Sequence, residues 1–190
     1  KANLESFKSQ PKVLKILVDM LNYGAALQTK YQVELNNMPN DELEAYAEYM
    51  TTTMPEMKNT NTEEGTGTVK PFQMSFGIQD KVTLQVIYTA ADVAGREVRC
   101  RIGDGEEVVI KAEEMTDYYG FMIAEFAFKP EDMRTAFTVG LYDTATGELV
   151  SALTKATAQG YAATLLGGEY NDIAIAMMRY CDAVLAYLGK

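Results

Sequence analysis

Two segments far apart in the chain share one pattern of large apolar residues. In each segment the apolar side chains recur at positions i, i+4, i+7 and i+11. The first set is Ile16, Met20, Tyr23 and Leu27, and the second set is Ile173, Met177, Tyr180 and Val184. This spacing places the members of each set on one face of an α-helix. The pattern therefore predicts two helices, over residues 10–32 and 171–188.

The two apolar stripes have two possible uses. The ordinary interpretation is that each stripe is a core face, and the alternative is a groove that receives a helix from a partner protein. Each helix must bury its stripe, and the residue types of the two stripes match position by position. We therefore expect the two helices to lie against each other.

Between the two helical segments the apolar period falls to two, which is typical of β-strands. Apolar and polar residues alternate over residues 82–88 and 98–102, and Gly103, Asp104 and Gly105 then give a strong hairpin-turn signal. Further strands are predicted up to residue 153, with a second turn at residues 143–147. No helical pattern interrupts these strands, so the sheets should be mostly antiparallel.

The predicted fold class is α+β, with an antiparallel β-sandwich-like core packed with N- and C-terminal helices. Residues 1–50 form the N-terminal helical segment, and residues 51–70 are predicted to be a linker because they are polar and contain many threonines. Residues 71–190 form the β-sandwich-like module with its closing C-terminal helices, and this module can form one compact unit with residues 1–50.

Composition narrows the classes of function. The formal net charge is −10 and no Lys/Arg cluster is present, which argues against nucleic-acid binding. The absence of histidine removes the commonest general base and the commonest zinc ligand. No apolar run approaches the roughly 20 residues that span a bilayer. We therefore expect no enzyme activity, no cofactor and no membrane span.

Cysteine usage leaves two alternatives. Cys100 and Cys181 are far apart in sequence and could form one disulfide. The favoured interpretation is that each is a small buried apolar side chain, one in a strand and one in a helix.

Two groups of residues are candidates for a ligand site. Tyr118 and Tyr119 would make a platform for a ligand or glycan if exposed, because tyrosine joins an apolar ring to a polar tip. In a strand their rings would point to opposite faces, so we expect at most one to be exposed and favour a structural role. The second group is Asp104, Glu106 and Glu107, whose carboxylates could hold Ca²⁺ or could simply be a solvated hairpin tip.

The chain also resembles a known group of proteins. Residues 20–26 read Met-Leu-Asn-Tyr-Gly-Ala-Ala and are followed by Gln28 and Tyr31. This segment resembles a recurring helix in large secreted or cell-surface proteins of gut Firmicutes, where a β-module and two further helices accompany it. Matching residues in the second half include 137–139, 141–143, 161–162, 165–166 and 177–180. Cys181 and Asp182 depart from the pattern, because Gly-Ala is usual at these positions.

The resemblance implies an extracellular or cell-surface location and no particular chemistry. The expected function is a non-catalytic module of a bacterial surface or secreted protein, with a spacer or interaction role and a glycan or a protein as its partner. The alternative is a glycan- or peptide-binding module that uses exposed tyrosines on the sheet. An enzyme that uses only carboxylates is a third hypothesis, which requires two acidic side chains that converge in a cleft. The sequence leaves the ligand and the oligomeric state open.

Overall fold

The computed structural model describes residues 3–78 and 82–190. The chain divides into two compact units, a helical unit of residues 1–58 and 162–190 and a β unit of residues 59–161. The C-terminal helix thus belongs with the N-terminal segment, whereas the sequence pattern had grouped it with the strands. The helices and antiparallel sheets confirm the α+β class.

The helical unit is built on two long helices. Helix α1 spans Pro11–Tyr31, and its first residue is a proline, which suits a position whose N–H has no helical acceptor. The second long helix is α4 (Asn171–Leu188). Two short helices precede it in sequence: α2 (Ala90–Val93) belongs to the β unit, and α3 (Ala158–Thr164) spans the sequence boundary between the two units. Short 3₁₀ turns cover Leu4–Phe7, Leu35–Asn37 and Leu43–Tyr49. Helices α1 and α4 pack against each other, as predicted from their matching stripes.

Helix α1 is buried on two faces, which the sequence pattern did not reveal. Leu14 and Val18 pack with Leu4 and Leu43 in one apolar cluster. Two residues advance a helix by about 200°, so these side chains lie nearly opposite the predicted stripe. Met20 in that stripe is 38% exposed, so the stripe is not a continuous core face. The remaining stripe residues are buried or half-buried: Ile16, Tyr23, Leu27, Ile173, Met177, Tyr180 and Val184.

The β unit contains two antiparallel sheets within the described residues. In sequence order the strands are β1 (Thr62–Glu64), β2 (Gln73–Ile78), β3 (Val82–Thr89), β4 (Arg96–Ile102), β5 (Glu107–Lys111), β6 (Thr116–Tyr118), β7 (Phe121–Phe128), β8 (Phe137–Asp143) and β9 (Leu153–Ala156). The five-stranded sheet has the order β1-β9-β8-β4-β5, and the four-stranded sheet has the order β2-β3-β7-β6.

Aromatic side chains join the inner faces of the two sheets. Phe76 and Phe128 of the four-stranded sheet both contact Phe137 of the five-stranded sheet, with ring centroids 6.0 and 5.4 Å apart. Leu84 and Val98 are fully buried in the same interior. The predicted hairpin is also confirmed, because β4 pairs with β5 across the turn that contains Gly103.

The segment predicted to be a linker, residues 51–70, is ordered by contacts at both ends. Thr51 is hydrogen-bonded to Asp19 of α1, and Thr62–Glu64 form β1, which pairs with β9. Gly67 runs so close to β-unit backbone that an added Cβ would lie 2.1 Å from the carbonyl carbon of Ser151. A strand of three polar residues has no apolar alternation, which is why the sequence pattern missed it.

Both cysteines are buried thiols, and the described residues contain no disulfide. Cys100 lies on β4 and Cys181 on α4, which confirms the interpretation of one cysteine in a strand and one in a helix. Burial raises the pKa of the Cys100 thiol to about 12. This thiol is therefore uncharged and unreactive at neutral pH.

Candidate functional site

Four aromatic side chains form one patch on the four-stranded sheet, beside the hairpin turn that connects β6 to β7. We refer to Phe72, Tyr118, Tyr119 and Phe121 as the aromatic patch. The rings of Phe72 and Phe121 are 4.6 Å apart, and the rings of Tyr118 and Tyr119 are 4.9 Å apart in an edge-to-face arrangement. Tyr118 lies directly opposite Phe121 in the pairing of β6 with β7, which joins the two ring pairs.

The strand register places this patch on the outer face of the sheet. The buried residues of β7 include Ala124, Phe126 and Phe128, so Phe121 points the other way. Tyr118 shares that face because it is the cross-strand partner of Phe121. The Phe72 N–H donates to the carbonyl oxygen of Ile87 at 2.7 Å, which holds Phe72 beside β3.

Three of the four rings are strongly exposed to solvent. The exposed fractions are 65% for Phe72, 62% for Tyr118 and 90% for Tyr119, while Phe121 is half-buried. A contiguous group of exposed aromatic residues marks an interaction surface more often than a single exposed apolar residue does. The expectation that at most one of the two tyrosines is exposed was wrong.

The exposure of Tyr119 follows from the hairpin turn. Tyr119 and Gly120 connect β6 to β7, and both have positive φ angles, 53° and 85°. This is the backbone of a two-residue type I′ turn, which asparagine and glycine favour. The side-chain Oδ1 of Asp117 accepts a hydrogen bond from the Gly120 N–H at 2.9 Å and closes the turn. Strand alternation ends at Tyr118, so Tyr119 is not directed to the sheet face opposite Tyr118.

Polar and acidic groups surround the aromatic patch. Thr89 lies directly opposite Phe121 on β3, and Thr116 is an exposed residue of β6. The Thr89 hydroxyl donates to the Asp92 carboxylate at 2.6 Å. Among the described residues, the outward positions of this sheet carry no lysine or arginine. The surface therefore offers hydrogen-bonding groups and rings but no positive charge for an anionic ligand.

A separate cleft of about 510 Å³ lies within the helical unit. Its charged side chains are largely committed to contacts within that unit. Lys30 pairs with Glu169 at 3.0 Å, and this contact lowers the pKa of the Glu169 carboxyl group. The Arg179 guanidinium donates to the backbone oxygens of Thr52 and Thr53. We interpret the cleft as a structural feature in which α4 is tied to residues 52–53.

Asp19 is the most deeply buried acidic side chain of this cleft, with 1% exposure. Its carboxylate accepts hydrogen bonds from the Thr51 N–H at 3.0 Å and the Thr51 hydroxyl at 2.5 Å, and Lys15 lies 3.6 Å away. Neither Asp19 nor Arg179 was predicted from the sequence as a residue of a site. The available signal was a carboxylate among the apolar residues of α1, between Val18 and Met20.

The three carboxylates considered as possible calcium ligands lie on the hairpin between β4 and β5. Asp104, Glu106 and Glu107 are all exposed, and Glu107 lies 3.4 Å from Arg101. Within residues 3–78 and 82–190, no three acidic or cysteine side chains are grouped so that they could hold a metal ion. The structure does not bring these three carboxylates together.

The carboxyl groups with a displaced pKa do not resemble a catalytic pair. In Glu5 and Glu169 the pKa is lowered chiefly by hydrogen bonds from Lys8 and Lys30. In Asp143 it is lowered chiefly by a backbone hydrogen bond from Thr146. A carboxylic acid that donates a proton at neutral pH needs a raised pKa instead. These three groups are suited to charge pairing and turn capping.

Comparisons with family models, curated proteins and solved structures find no match to this chain. Among the described helices, none combines the length and the apolar character that crossing a membrane requires. The function must therefore be inferred from the residues of the chain itself.

Proposed function

We propose that this chain is a non-catalytic binding module of a bacterial cell-surface or secreted protein, and that its aromatic patch binds a glycan. The observation that carries the proposal is the state of Tyr119, which is 90% exposed and has a left-handed backbone conformation. The extracellular location is supported by the resemblance of residues 20–26 to helices of such proteins.

Tyr119 does not serve the stability of the folded chain, for two reasons. A side chain with a Cβ in the left-handed region costs about 1 kcal/mol relative to glycine. The ring is also left in water, where it gains almost nothing from burial. Asparagine would satisfy this turn with less strain and would leave no aromatic ring in water. A strained residue with an exposed ring is a reason to infer a role outside the fold itself.

The chemistry of the patch fits a neutral glycan. Tyrosine presents a flat apolar ring with a polar tip, which can contact the apolar face of a sugar and also hydrogen-bond to its hydroxyl groups. Thr89 and Thr116 add hydroxyl groups at the sides of the rings. The lack of positive charge on the described outer face disfavours an acidic polysaccharide. A peptide could pair with the edge of β6, but that strand has only three residues.

The direct test is a glycan array that includes mucin fragments, with and without Ca²⁺. The chain is compared with Tyr118→Ala and Tyr119→Asn, the second of which keeps the turn favourable. Tyr187→Asn is the matched control, because Tyr187 is 50% exposed but lies on α4. We expect glycan binding that weakens about tenfold or more in the two patch variants, as for aromatic contact residues at other interfaces.

Three results would contradict the proposal. Binding that is unchanged in both patch variants would place the site elsewhere on the chain. The absence of binding to every glycan, with and without Ca²⁺, would reject the glycan site and favour a spacer role. Loss of binding in Tyr187→Asn as well would also count against the patch.

A further inference from the structure

Strand β5 forms one edge of the five-stranded sheet and, among the described strands, pairs with β4 alone. The pairing is regular and runs without a bulge from Glu97 opposite Lys111 to Arg101 opposite Glu107. An edge strand of this kind presents a row of backbone groups that can pair with another chain.

The backbone groups that face the open edge can be identified from the neighbouring strands. Gly103 donates its N–H to the Ala136 oxygen, and Thr144 donates its N–H to the Gly95 oxygen. The odd-numbered residues of β4 therefore bond to β8, and its even-numbered residues bond to β5. It follows that Val108 and Ile110 bond to β4. Glu107, Val109 and Lys111 direct their N–H and C=O groups to the open edge.

An independent contact agrees with this assignment. The N–H of Lys111 donates to the side-chain Oε2 of Glu114 at 2.9 Å, so it points away from β4. The carboxylate of Glu114 thus covers one donor at the end of the strand. The backbone groups of Glu107 and Val109 lie further along the same edge.

Two apolar side chains of β5 are unusually exposed to solvent. Val108 is 52% exposed and Val109 is 40% exposed, although both lie in a regular strand. Val108 shares a face with Cys100, its partner on β4, while Val109 shares the opposite face with Arg99. A further strand beside β5 would therefore bury apolar surface on both faces of the sheet.

The charge pattern of β5 is complementary to that of a second, antiparallel copy of the same strand. The strand reads Glu-Val-Val-Ile-Lys, with Val109 at its centre. Antiparallel pairing of two copies about Val109 places Glu107 of each copy opposite Lys111 of the other, and Val108 opposite Ile110. Opposite charges on cross-strand pairs are favourable, and like charges are unfavourable.

The two other short edges lack this property. Strand β1 is centred on Glu63 and strand β6 on Asp117. Antiparallel self-pairing about either centre would place two carboxylates directly opposite each other, which is destabilising. The complementarity of β5 is thus a property of its own sequence and not of short edge strands in general.

We propose that two copies of this chain associate by antiparallel pairing of β5 with β5 about a two-fold axis at Val109. The two Val109 residues exchange N–H and C=O bonds, and Glu107 donates its N–H to the Lys111 oxygen of the other copy. The five-stranded sheets of the two copies then become one continuous sheet. The contact is self-complementary, as a two-fold interface must be. Because the strand is short, the dimer is weak and depends on concentration.

Sedimentation equilibrium over a wide range of protein concentration tests this proposal. The variant Val109→Lys places two lysines opposite each other at the axis, and we expect it to raise the dimer dissociation constant by about a hundredfold. The control is Val33→Lys, which adds the same charge at a position that is 51% exposed in the helical unit. A wild-type chain that stays monomeric throughout, or a Val109→Lys variant that dimerises like the wild type, would overturn the proposal.

A charge exchange tests the register. Glu107→Lys alone should weaken the dimer because it opposes two lysines, and adding Lys111→Glu should restore at least half of the lost association free energy. If the double variant dimerises no better than the single one, while both melt like the wild type, the proposed register is wrong.

Amide hydrogen exchange of the unmodified chain provides a measurement that needs no variant. The N–H groups of Val109 and Glu107 should exchange more slowly as the protein concentration rises. A dimer without protection at Val109 would place the interface elsewhere. A chain that stays monomeric but gains protection there from an added apolar peptide would assign the edge to a different occupant and reject self-pairing.

Discussion

The two units each contain a pair of contacting tyrosines, and the pairs differ in almost every physical respect. Tyr23 and Tyr180 of the helical unit are stacked, with ring centroids 6.4 Å apart and planes inclined by 21°. Tyr118 and Tyr119 of the β unit meet edge to face, with planes inclined by 83°. Tyr23 is 7% exposed, whereas Tyr119 is 90% exposed.

The two pairs differ in which part of the tyrosine side chain lies in an unfavourable environment, the hydroxyl group or the ring. In the helical unit the ring of Tyr23 is well packed, but its hydroxyl group is buried without a hydrogen-bond partner. In the β unit the hydroxyl group of Tyr119 has access to water, but the ring is left exposed. Residue type thus predicts the contact chemistry, while the backbone position decides which part of the side chain is buried. Tyr23 is buried because it lies on a packed face of a helix, and Tyr119 is exposed because it lies in a hairpin turn.

The largest expected effect on stability comes from removing the buried ring of Tyr23. Tyr23→Ala should lower the free energy of unfolding by about 3 kcal/mol, because it removes packed ring atoms and leaves a cavity. Urea denaturation monitored by circular dichroism measures the change. Tyr187→Ala on α4 is the control and should change stability by no more than about 0.5 kcal/mol. A loss below about 1 kcal/mol for Tyr23→Ala would mean that the position is not a core position.

The second prediction concerns alkaline pH. Burial, with smaller contributions from Tyr31 and Tyr180, raises the pKa of Tyr23 above its ordinary value of 10.0. The folded state therefore holds this proton more tightly than the unfolded state. The associated stability is fully present below pH 10 and is lost as the pH rises from there toward the folded pKa.

The variant Tyr23→Phe isolates this contribution. Above pH 10 the wild type should lose up to about 1.4 kcal/mol per pH unit more than the variant does. Tyr88, whose pKa burial raises to about 12, and Cys100 contribute to both proteins and cancel in the difference. At neutral pH the variant should be more stable by about 1 kcal/mol, because it removes an unsatisfied hydroxyl group. Identical pH profiles for the two proteins would contradict the burial of this hydroxyl.

The smallest expected effect on stability comes from relieving the backbone strain at Tyr119. Tyr119→Asn should raise the free energy of unfolding by about 0.5–1 kcal/mol, because asparagine adopts the left-handed conformation more readily. Thermal denaturation measures this difference, with Tyr118→Asn as the control that leaves the turn unchanged. A lower stability for Tyr119→Asn would show that the exposed ring contributes to the fold, and would remove the main argument for a binding role.

The sequence predicted those elements in which apolar residues recur regularly over many positions or a clear turn signal joins two strands. The bounds of α1 and α4, their mutual contact and the hairpin of β4 and β5 all follow from spacing and turn residues. The second buried face of α1 did not, because Leu14 and Val18 are apolar on a helix that is apolar on several sides. Likewise, strand β1 was missed because its pairing with β9 is made by backbone groups, which leave no pattern in side-chain polarity.

The candidate site was predicted by residue type and misjudged in its geometry. Tyr118 and Tyr119 were recognised as a possible platform, but their exposure depended on whether Tyr119 belongs to the strand or to the turn. Phe121 is a sequence neighbour of the two tyrosines, but Phe72 joined them only through the folded sheet, since it lies far from them in sequence. Long-range pairing of this kind cannot be read from local patterns.

The order of segments along the chain has a consequence for how the protein is made. Helix α1 is synthesised before every strand, and α4 is synthesised after all of them. During synthesis, one apolar face of α1 therefore stays exposed until the β unit and then α4 have been made. The β unit closes through contacts made within its own span and can fold first. The helical unit is closed last, by a contact whose large sequence separation makes it entropically slow to form.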